Sequence, residues 1–241
     1  MAVERLTPAE RAAFRAQLRR VVPFDDAELG SLDGALRARQ LAAGEMFLRA
    51  GDRAVDCGLV LSGVAREYFP LEDGREVTRR FAGPGDFIGS LGDLLSGQPA
   101  RSSASAETDV RVAVVPWRTI RALVARSPAW AAFLARVTQQ LYLIKSEREY
   151  ELLALDAEAR YQSFRAGYAA LESVIALRHV ASYVGITPEH LSRLRRRLGL
   201  AARGSPARTR TGGRSSARSS PLAAPRSARR RARRPGRASP R

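Results

Sequence analysis

The stretch Leu177–Leu198, LRHVASYVGITPEHLSRLRRRL, constrains this chain more than any other. Its apolar residues Val180, Val184, Ile186, Leu191 and Leu194 fall where two crossing helices must share a core. Ala181 stands where those helices touch, and a larger side chain there would wedge them apart. Gly185 follows the first helix and permits the left-handed backbone of a sharp turn. Thr187 is a good N-cap and Pro188 fits the first helical position. The pattern predicts a helix-turn-helix. Its second helix would present Glu189, His190, Ser192, Arg193, Arg196 and Arg197 outward, around buried Leu191 and Leu194. That is the layout of a helix that enters the major groove of double-stranded DNA. The alternative is an ordinary amphipathic helix pair with a basic face. The joint placement of small residue, glycine, cap and apolar positions favours DNA.

The overall charge adds less to this reading than it suggests. The net charge of the 241 residues is +17, but residues 201–241 hold 13 arginines and no acidic residue, which leaves residues 1–200 at +4. The segment after Leu200 is Arg, Ser, Pro, Ala and Gly without an aromatic residue, so it cannot bury enough apolar surface to offset its ordering entropy. Disorder is expected there, with sequence-independent attraction to phosphates as one role and no specific role as the other. The rest of a chain that is 45% hydrophobic should fold into one or two domains.

Taken in order, Thr7-Pro8 opens a first helix with Phe14 and Leu18 on one face, and residues 24–38 hold a short second one. From about Leu41 to Pro116 short apolar segments alternate with glycine turns, which predicts an antiparallel roll or barrel. Cys57–Leu61 and Val110–Val115 read as buried strands, and Glu72-Asp73-Gly74 as a hairpin turn. Trp117, Ile120, Leu123 and Val124 mark a brief helix. Ser127-Pro128 then caps a long one, in which Trp130, Leu134, Val137, Leu141 and Ile144 alternate by four and three like a coiled-coil seam. The seam breaks at Arg148 and Glu151 and resumes at Leu155. Such a stripe predicts a homodimer through 128–152, packing within one chain being the alternative. Residues 156–173 read as a further helix with Tyr161, Phe164, Tyr168 and Leu171 on its packing stripe. Four units result: 1–126, 127–155, 156–200 and the tail 201–241.

The order of roll, long helix and helix-turn-helix resembles the Crp–Fnr superfamily of bacterial transcription regulators over about residues 20–200. The segments that carry the resemblance are GEMFLRAGD (44–52), GPGDFIGSLGDLLSGQPARSSASAETDVRVAVVP (83–116) and the helix-turn-helix itself. It implies an α+β fold: an N-terminal antiparallel β-roll like a cyclic-nucleotide-binding domain, a long dimerisation helix, and a C-terminal, winged-type helix-turn-helix domain. The hairpin wing is not visible after Leu200. The resemblance also implies a homodimer that reads a near-palindromic operator and acts on RNA polymerase, with a small effector in the roll.

Carried over residue by residue, the effector cassette is incomplete. Gly89-Ser90-Leu91 stand where cyclic-nucleotide-binding members have Gly-Glu-Leu, so the ribose-bonding glutamate is missing. Arg101-Ser102 stand where an Arg-Ser pair holds the phosphate, with a solvated loop arginine as the alternative for Arg101. Cyclic nucleotide binding is therefore disfavoured, and no other cofactor is indicated. In the recognition helix Glu189 and Arg193 match the family's base-reading pair: glutamate accepts from cytosine, and arginine donates to guanine O6 and N7. Thr187 and Ser192 can bond phosphates, and Arg195, Arg196 and Arg197 can supply charge along the backbone, with Arg193 and Arg196 favoured over Arg195. Pro188 replaces an arginine common in relatives, so the base preference should differ. His190 either touches DNA or is a plain exposed position, and His179 reads as a surface or domain-contact residue.

Several function classes are disfavoured. The one cysteine, Cys57, allows no disulfide within the chain and no cluster of cysteine ligands, and in its apolar run it reads as an inert buried thiol. Both histidines lie in the DNA-binding half, away from the roll, which leaves haem sensing without an axial ligand there. The start MAVERLTPAERAAF lacks a signal-peptide core, and no apolar run approaches a membrane span, so a cytoplasmic protein is expected. No phosphate-binding glycine loop, His-Glu-x-x-His or Gly-x-Ser-x-Gly motif points to an enzyme, and Asp25-Asp26 and Glu72-Asp73 read as turn or cap residues. The remaining alternative to a DNA-binding regulator is a small-molecule-binding regulatory module whose output is not DNA occupancy.

Overall fold

The structure, a computed structural model, describes residues 3–200. The Arg-rich tail 201–241 and the expected place of a wing lie outside the described residues. After a two-residue strand β1 (Val3–Glu4), helix α1 (Pro8–Val21) starts on a reciprocal capping box: the Thr7 N–H donates to Glu10 Oε2 at 2.8 Å and the Glu10 N–H to Thr7 Oγ1 at 3.2 Å. The expected helix within 24–38 is only α2 (Asp26–Gly30), capped by Asp25. A run of turns follows it, and the chain is already extended in β2 (Arg37–Leu41), so the roll begins four residues earlier than the sequence suggested.

The roll consists of two antiparallel sheets. Strand β3 is Met46–Leu48, β4 Asp56–Ser62, β5 Ala65–Pro70, β6 Glu76–Ala82 and β7 Phe87–Ile88; a short helix α3 (Leu91–Ser96) precedes β8 (Ser103–Ala106) and β9 (Val110–Pro116). One sheet has the order β1-β2-β9-β4-β7 and the other β3-β8-β5-β6. Alternation along the strands divides the cores. On β4, Val60 faces the roll interior with Ala65, Ala82, Ala104 and Val112, whereas Leu59 faces a second core built under α1. On β6, Ala82 faces the interior, whereas Phe81 joins a third core shared with the C-terminal helices.

Helix α4 (Trp117–Arg126) follows β9, and Ser127 caps the long helix α5 (Pro128–Ala154, 27 residues) by accepting from the Trp130 N–H at 3.3 Å. The seam read from the sequence turns out to be internal. Trp130 is fully buried, its ring tilted against that of Phe24 with centroids 4.6 Å apart, Val137 is buried, and Leu134 and Leu141 pack on the same core beneath the roll. The stripe therefore serves this chain's own core and leaves a different apolar face in solvent: Tyr142, Leu143, Tyr150, Leu152 and Leu153. Among the described residues no helix is long and apolar enough to cross a membrane.

Helix α6 (Ala157–Gly167) is capped by Asp156 and is shorter than the 156–173 expected. The Tyr168 N–H still donates to the Phe164 carbonyl, but from there the chain turns, and Tyr168 goes edge-on to Phe81 at 5.6 Å and to Tyr183 at 5.4 Å. Leu171 drops onto Gly83 of the roll, where an added Cβ would lie 3.0 Å from the leucine. Both residues keep their apolar contacts without being helical. The last helices of the described residues are α7 (Leu177–Val184) and α8 (Pro188–Arg197).

Candidate DNA-reading face and its seat on the roll

The turn between α7 and α8 has the local chemistry that the sequence announces. Gly185 adopts φ 79°, and its N–H returns to the Ala181 carbonyl at 2.9 Å. Thr187 Oγ1 accepts from the His190 N–H at 3.2 Å, and Pro188 begins α8. Val180, Ala181, Val184, Leu191 and Leu194 are all buried, and Ile186 packs half-buried against them. With that face covered, Thr187, Glu189, His190, Ser192, Arg193, Arg196 and Arg197 are exposed together. The backbone at Glu189, the Thr187 hydroxyl and the Arg193 charge hold the Glu189 carboxyl below its usual range, so it is an acceptor at neutral pH. Arg197 is paired with Glu158 at 3.0 Å. Arg195 turns inward, donating to Tyr161 Oη at 2.5 Å and to Glu172 at 3.0 Å, and is therefore a structural residue rather than a backbone contact.

The helix pair is seated on the outer face of β5 and β6. Ser182 Oγ accepts from the Thr78 N–H at 2.9 Å and donates to the Glu76 carbonyl at 2.6 Å. Glu107, in the turn between β8 and β9, accepts from the Ala176 N–H at 2.9 Å, lies 2.7 Å from His179 Nδ1 and is 3.7 Å from Arg66. His179 is thus a domain-contact residue. From α5, Arg148 donates to the Tyr183 carbonyl, lies over the Tyr183 ring and pairs with Glu151 at 2.8 Å. Arg148 and Glu151 break the seam because they hold the α7–α8 helix pair. Phe81, Phe164, Tyr168 and Tyr183 fill the space between with rings 5.3–6.1 Å apart.

The proposed effector residues are placed less coherently. Gly89 follows β7 with φ 113°, Ser90 is buried before α3, and Leu91 begins that helix. Arg101 points to solvent, while buried Ser102 accepts from Arg79 at 3.3 Å. Sequence reasoning missed a buried polar group next to them. By strand pairing, Glu67 of β5 lies between Arg80 of β6 and Ala104 of β8, toward the roll interior. Its Oε2 is 3.9 Å from Arg79 and 4.0 Å from Arg80, and its Oε1 is buried without a partner. Burial opposes the charge of Arg80, but Glu67 and Asp86 more than offset this. A charged pair inside an otherwise apolar strand was the signal available. Cys57 lines the apolar side of β4, and burial pushes its thiol up to about 12. Among the described residues no group of His, Cys, Asp and Glu could hold a metal ion.

The family model of the cyclic nucleotide-binding domain matches residues 38–127. Solved structures resemble this fold over about two thirds to three quarters of the chain. FixK2 from Bradyrhizobium japonicum is 22% identical over 67% of this chain and 83% of its own, with a TM-score of 0.59. The regulator CLP from Xanthomonas campestris is 21% identical over 75% of this chain and 96% of its own, with a TM-score of 0.62. The chain has the Crp–Fnr fold. A CooA mutant from Carboxydothermus hydrogenoformans shares that fold at 18% identity, over 76% of this chain and 84% of its own, with a TM-score of 0.57. No curated protein matches the sequence. Within the Crp–Fnr fold, residues 38–127 cover the roll from β2 through α4, the part that holds Glu67, Arg80 and Gly89.

Proposed function

We propose that this chain is a homodimeric, DNA-binding transcription regulator of the Crp–Fnr type. The observation that carries the reading is the exposed pair Glu189 and Arg193, one helical turn apart on a helix whose opposite face is fully buried. Arg193 would read guanine and Glu189 cytosine, with Thr187, Ser192, Arg196 and Arg197 on the phosphates and His190 at the edge of the contact. The description of CLP as a c-di-GMP responsive global regulator of virulence gene expression supports the same class. Residues 1–126 would form the sensor, 127–155 the dimerisation helix and 156–200 the DNA-binding unit, in a cytoplasmic protein that acts on RNA polymerase.

The second copy would sit on the α5 face that carries Leu143, Tyr150 and Leu153, because Trp130 and Val137 are already used. Two such subunits would read half-sites about 34–36 Å apart. The test is selection of operators from random duplex DNA at about 150 mM salt, where nonspecific phosphate attraction is weakened. Recovery of a two-fold motif with one turn between half-centres is the expected result. A folded dimer that enriches no motif, alone or with effector candidates, argues instead for a ligand-binding module with another output. The matched nucleotide-binding family supports that second reading, which leaves the exposed Glu189–Arg193 face without a use.

A further inference from the structure

The chain has two tryptophans, and both line one cavity. Trp117 opens α4 and Trp130 lies in the first turn of α5; Phe87, Leu134 and Val137 complete much of the wall, which encloses about 80 Å³. Gly89 and Leu91 reach it from the cassette segment, but Arg101 and Ser102 do not. The one charged residue in the wall is Arg80, which enters from β6 with its guanidinium donating to the Phe87 carbonyl at 2.5 Å. The indole Nε1 atoms of Trp117 and Trp130 are both buried without a hydrogen-bond partner. Buried donors are normally satisfied, so a pair of them around one cavity calls for an acceptor that the protein does not supply.

We propose that this cavity binds a compact apolar molecule with a hydrogen-bond acceptor, no larger than a single aromatic ring, and that it does not bind a cyclic nucleotide. Sites for drug-sized ligands run to about 300–1,000 Å³. A dry cavity of about 150 Å³ accepts benzene. The present space is nearer the second scale, and half-buried Leu134 and Leu141 are the walls that can yield to a ring. A cyclic nucleotide would bring a phosphate and a sugar hydroxyl to an apolar wall, where the only guanidinium is already held by Phe87 and faced by Glu67. A ring would instead lose its hydration against Phe14, Phe133 and the two indoles, with its acceptor directed to Arg80 or an indole N–H. Because α5 contributes Phe133, Leu134, Val137 and Leu141, the occupant would touch the helix that carries Arg148 further on. Only that regulatory consequence rests on the function proposed above; the binding itself does not.

The two tryptophans make the site its own reporter. Emission of the full chain, excited beyond the probes' absorption, is titrated with benzyl alcohol, with benzoate and with cyclic AMP, all without DNA. A saturable change with an aromatic probe, and none with cyclic AMP at the same concentration, is expected. Val137→Phe fills the cavity and should weaken the response at least tenfold, and Val137→Ile, one methylene larger, should weaken it in the same direction with less demand on packing. Tyr142→Ser, on the solvent face of α5, should leave it unchanged. The proposal is overturned by a linear, unsaturable response to both aromatic probes, by an equal response in the folded filled variants, or by a cyclic AMP response. Because DNA is absent throughout, none of these results bears on operator recognition.

Discussion

The Arg148 guanidinium lies 4.0 Å from the centroid of the Tyr183 ring and donates to the Tyr183 carbonyl. One side chain of the long helix thus caps the end of α7 and stacks on its last aromatic residue. Glu151, itself almost wholly buried, neutralises the guanidinium at 2.8 Å. Removing one member of such a pair strands the other. Arg148→Ala is expected to destabilise the chain by about 3–5 kcal/mol, whereas Arg148→Met with Glu151→Leu should recover most of that loss. Urea unfolding of the two variants checks it; equal losses would mean that the ion pair is not what holds the seat.

Two arginines of the recognition helix should separate by behaviour. Arg193→Ala should cost about 1–3 kcal/mol on the selected operator and relax the base preference at one position, while Arg196→Ala should weaken all duplexes alike and flatten the salt dependence. Binding titrations of each variant on operator and scrambled DNA at two salt concentrations distinguish these roles.

The exposed face of α5 gives a contrast within one helix. Leu143→Glu with Tyr150→Glu should raise the dimer dissociation constant by at least about tenfold, since a charge buried without a partner is costly. Sedimentation at several concentrations reads this, with circular dichroism confirming the fold. A dimer unchanged by both substitutions would move the contact elsewhere.

Glu107 makes the seat sensitive to acid. Burial pulls its carboxyl up, but the bonds from His179 and the Ala176 N–H, with the Arg66 charge, hold it below the ordinary value of 4.5. A depressed carboxylate contributes stability that is complete above the unfolded-state value and is lost as pH falls through the folded one. The stability difference between the parent and Glu107→Gln should therefore shrink as pH falls below about 4.5. A difference that keeps growing below that pH would contradict this assignment.

Cys57 should be inert. With its thiol pushed up to about 12, iodoacetamide at pH 8 should label the folded chain at least about tenfold more slowly than the unfolded chain. Mass spectrometry over a time course measures both rates.

The parts legible in the sequence are those fixed by near neighbours. Gly185, Thr187 and Pro188 announce their turn because caps and left-handed glycines act over three or four residues. Thr7-Pro8 does the same for α1. The antiparallel sheets follow from alternation, which is also local. What escaped depends on partners far along the chain. Ser182 bonds a carbonyl 106 residues away and His179 meets a carboxylate 72 residues away, and no periodicity encodes either. The α5 stripe shows the same limit from the other side: spacing by four and three reveals an apolar face at Trp130 and Val137 but not which core covers it. At α6 the spacing of Tyr161, Phe164, Tyr168 and Leu171 continued past the helix because a compact turn can keep the same side chains inward. Arg195, one of four arginines within residues 193–197, gave no hint that it alone of them points inside.

Helix α5 is clamped near both ends, by Trp130 in the core beneath the roll and by Arg148 and Glu151 under α7. That makes it a lever arm. The 21 steps from Trp130 to Glu151 span about 32 Å at the helical rise. Tilting such an arm by only about 6° at the Trp130 end carries the other end through about 3.4 Å, the rise of one base pair. In the dimeric regulator proposed above, a tilt of that size would be enough to bring a pair of recognition helices into or out of step with the pitch of DNA.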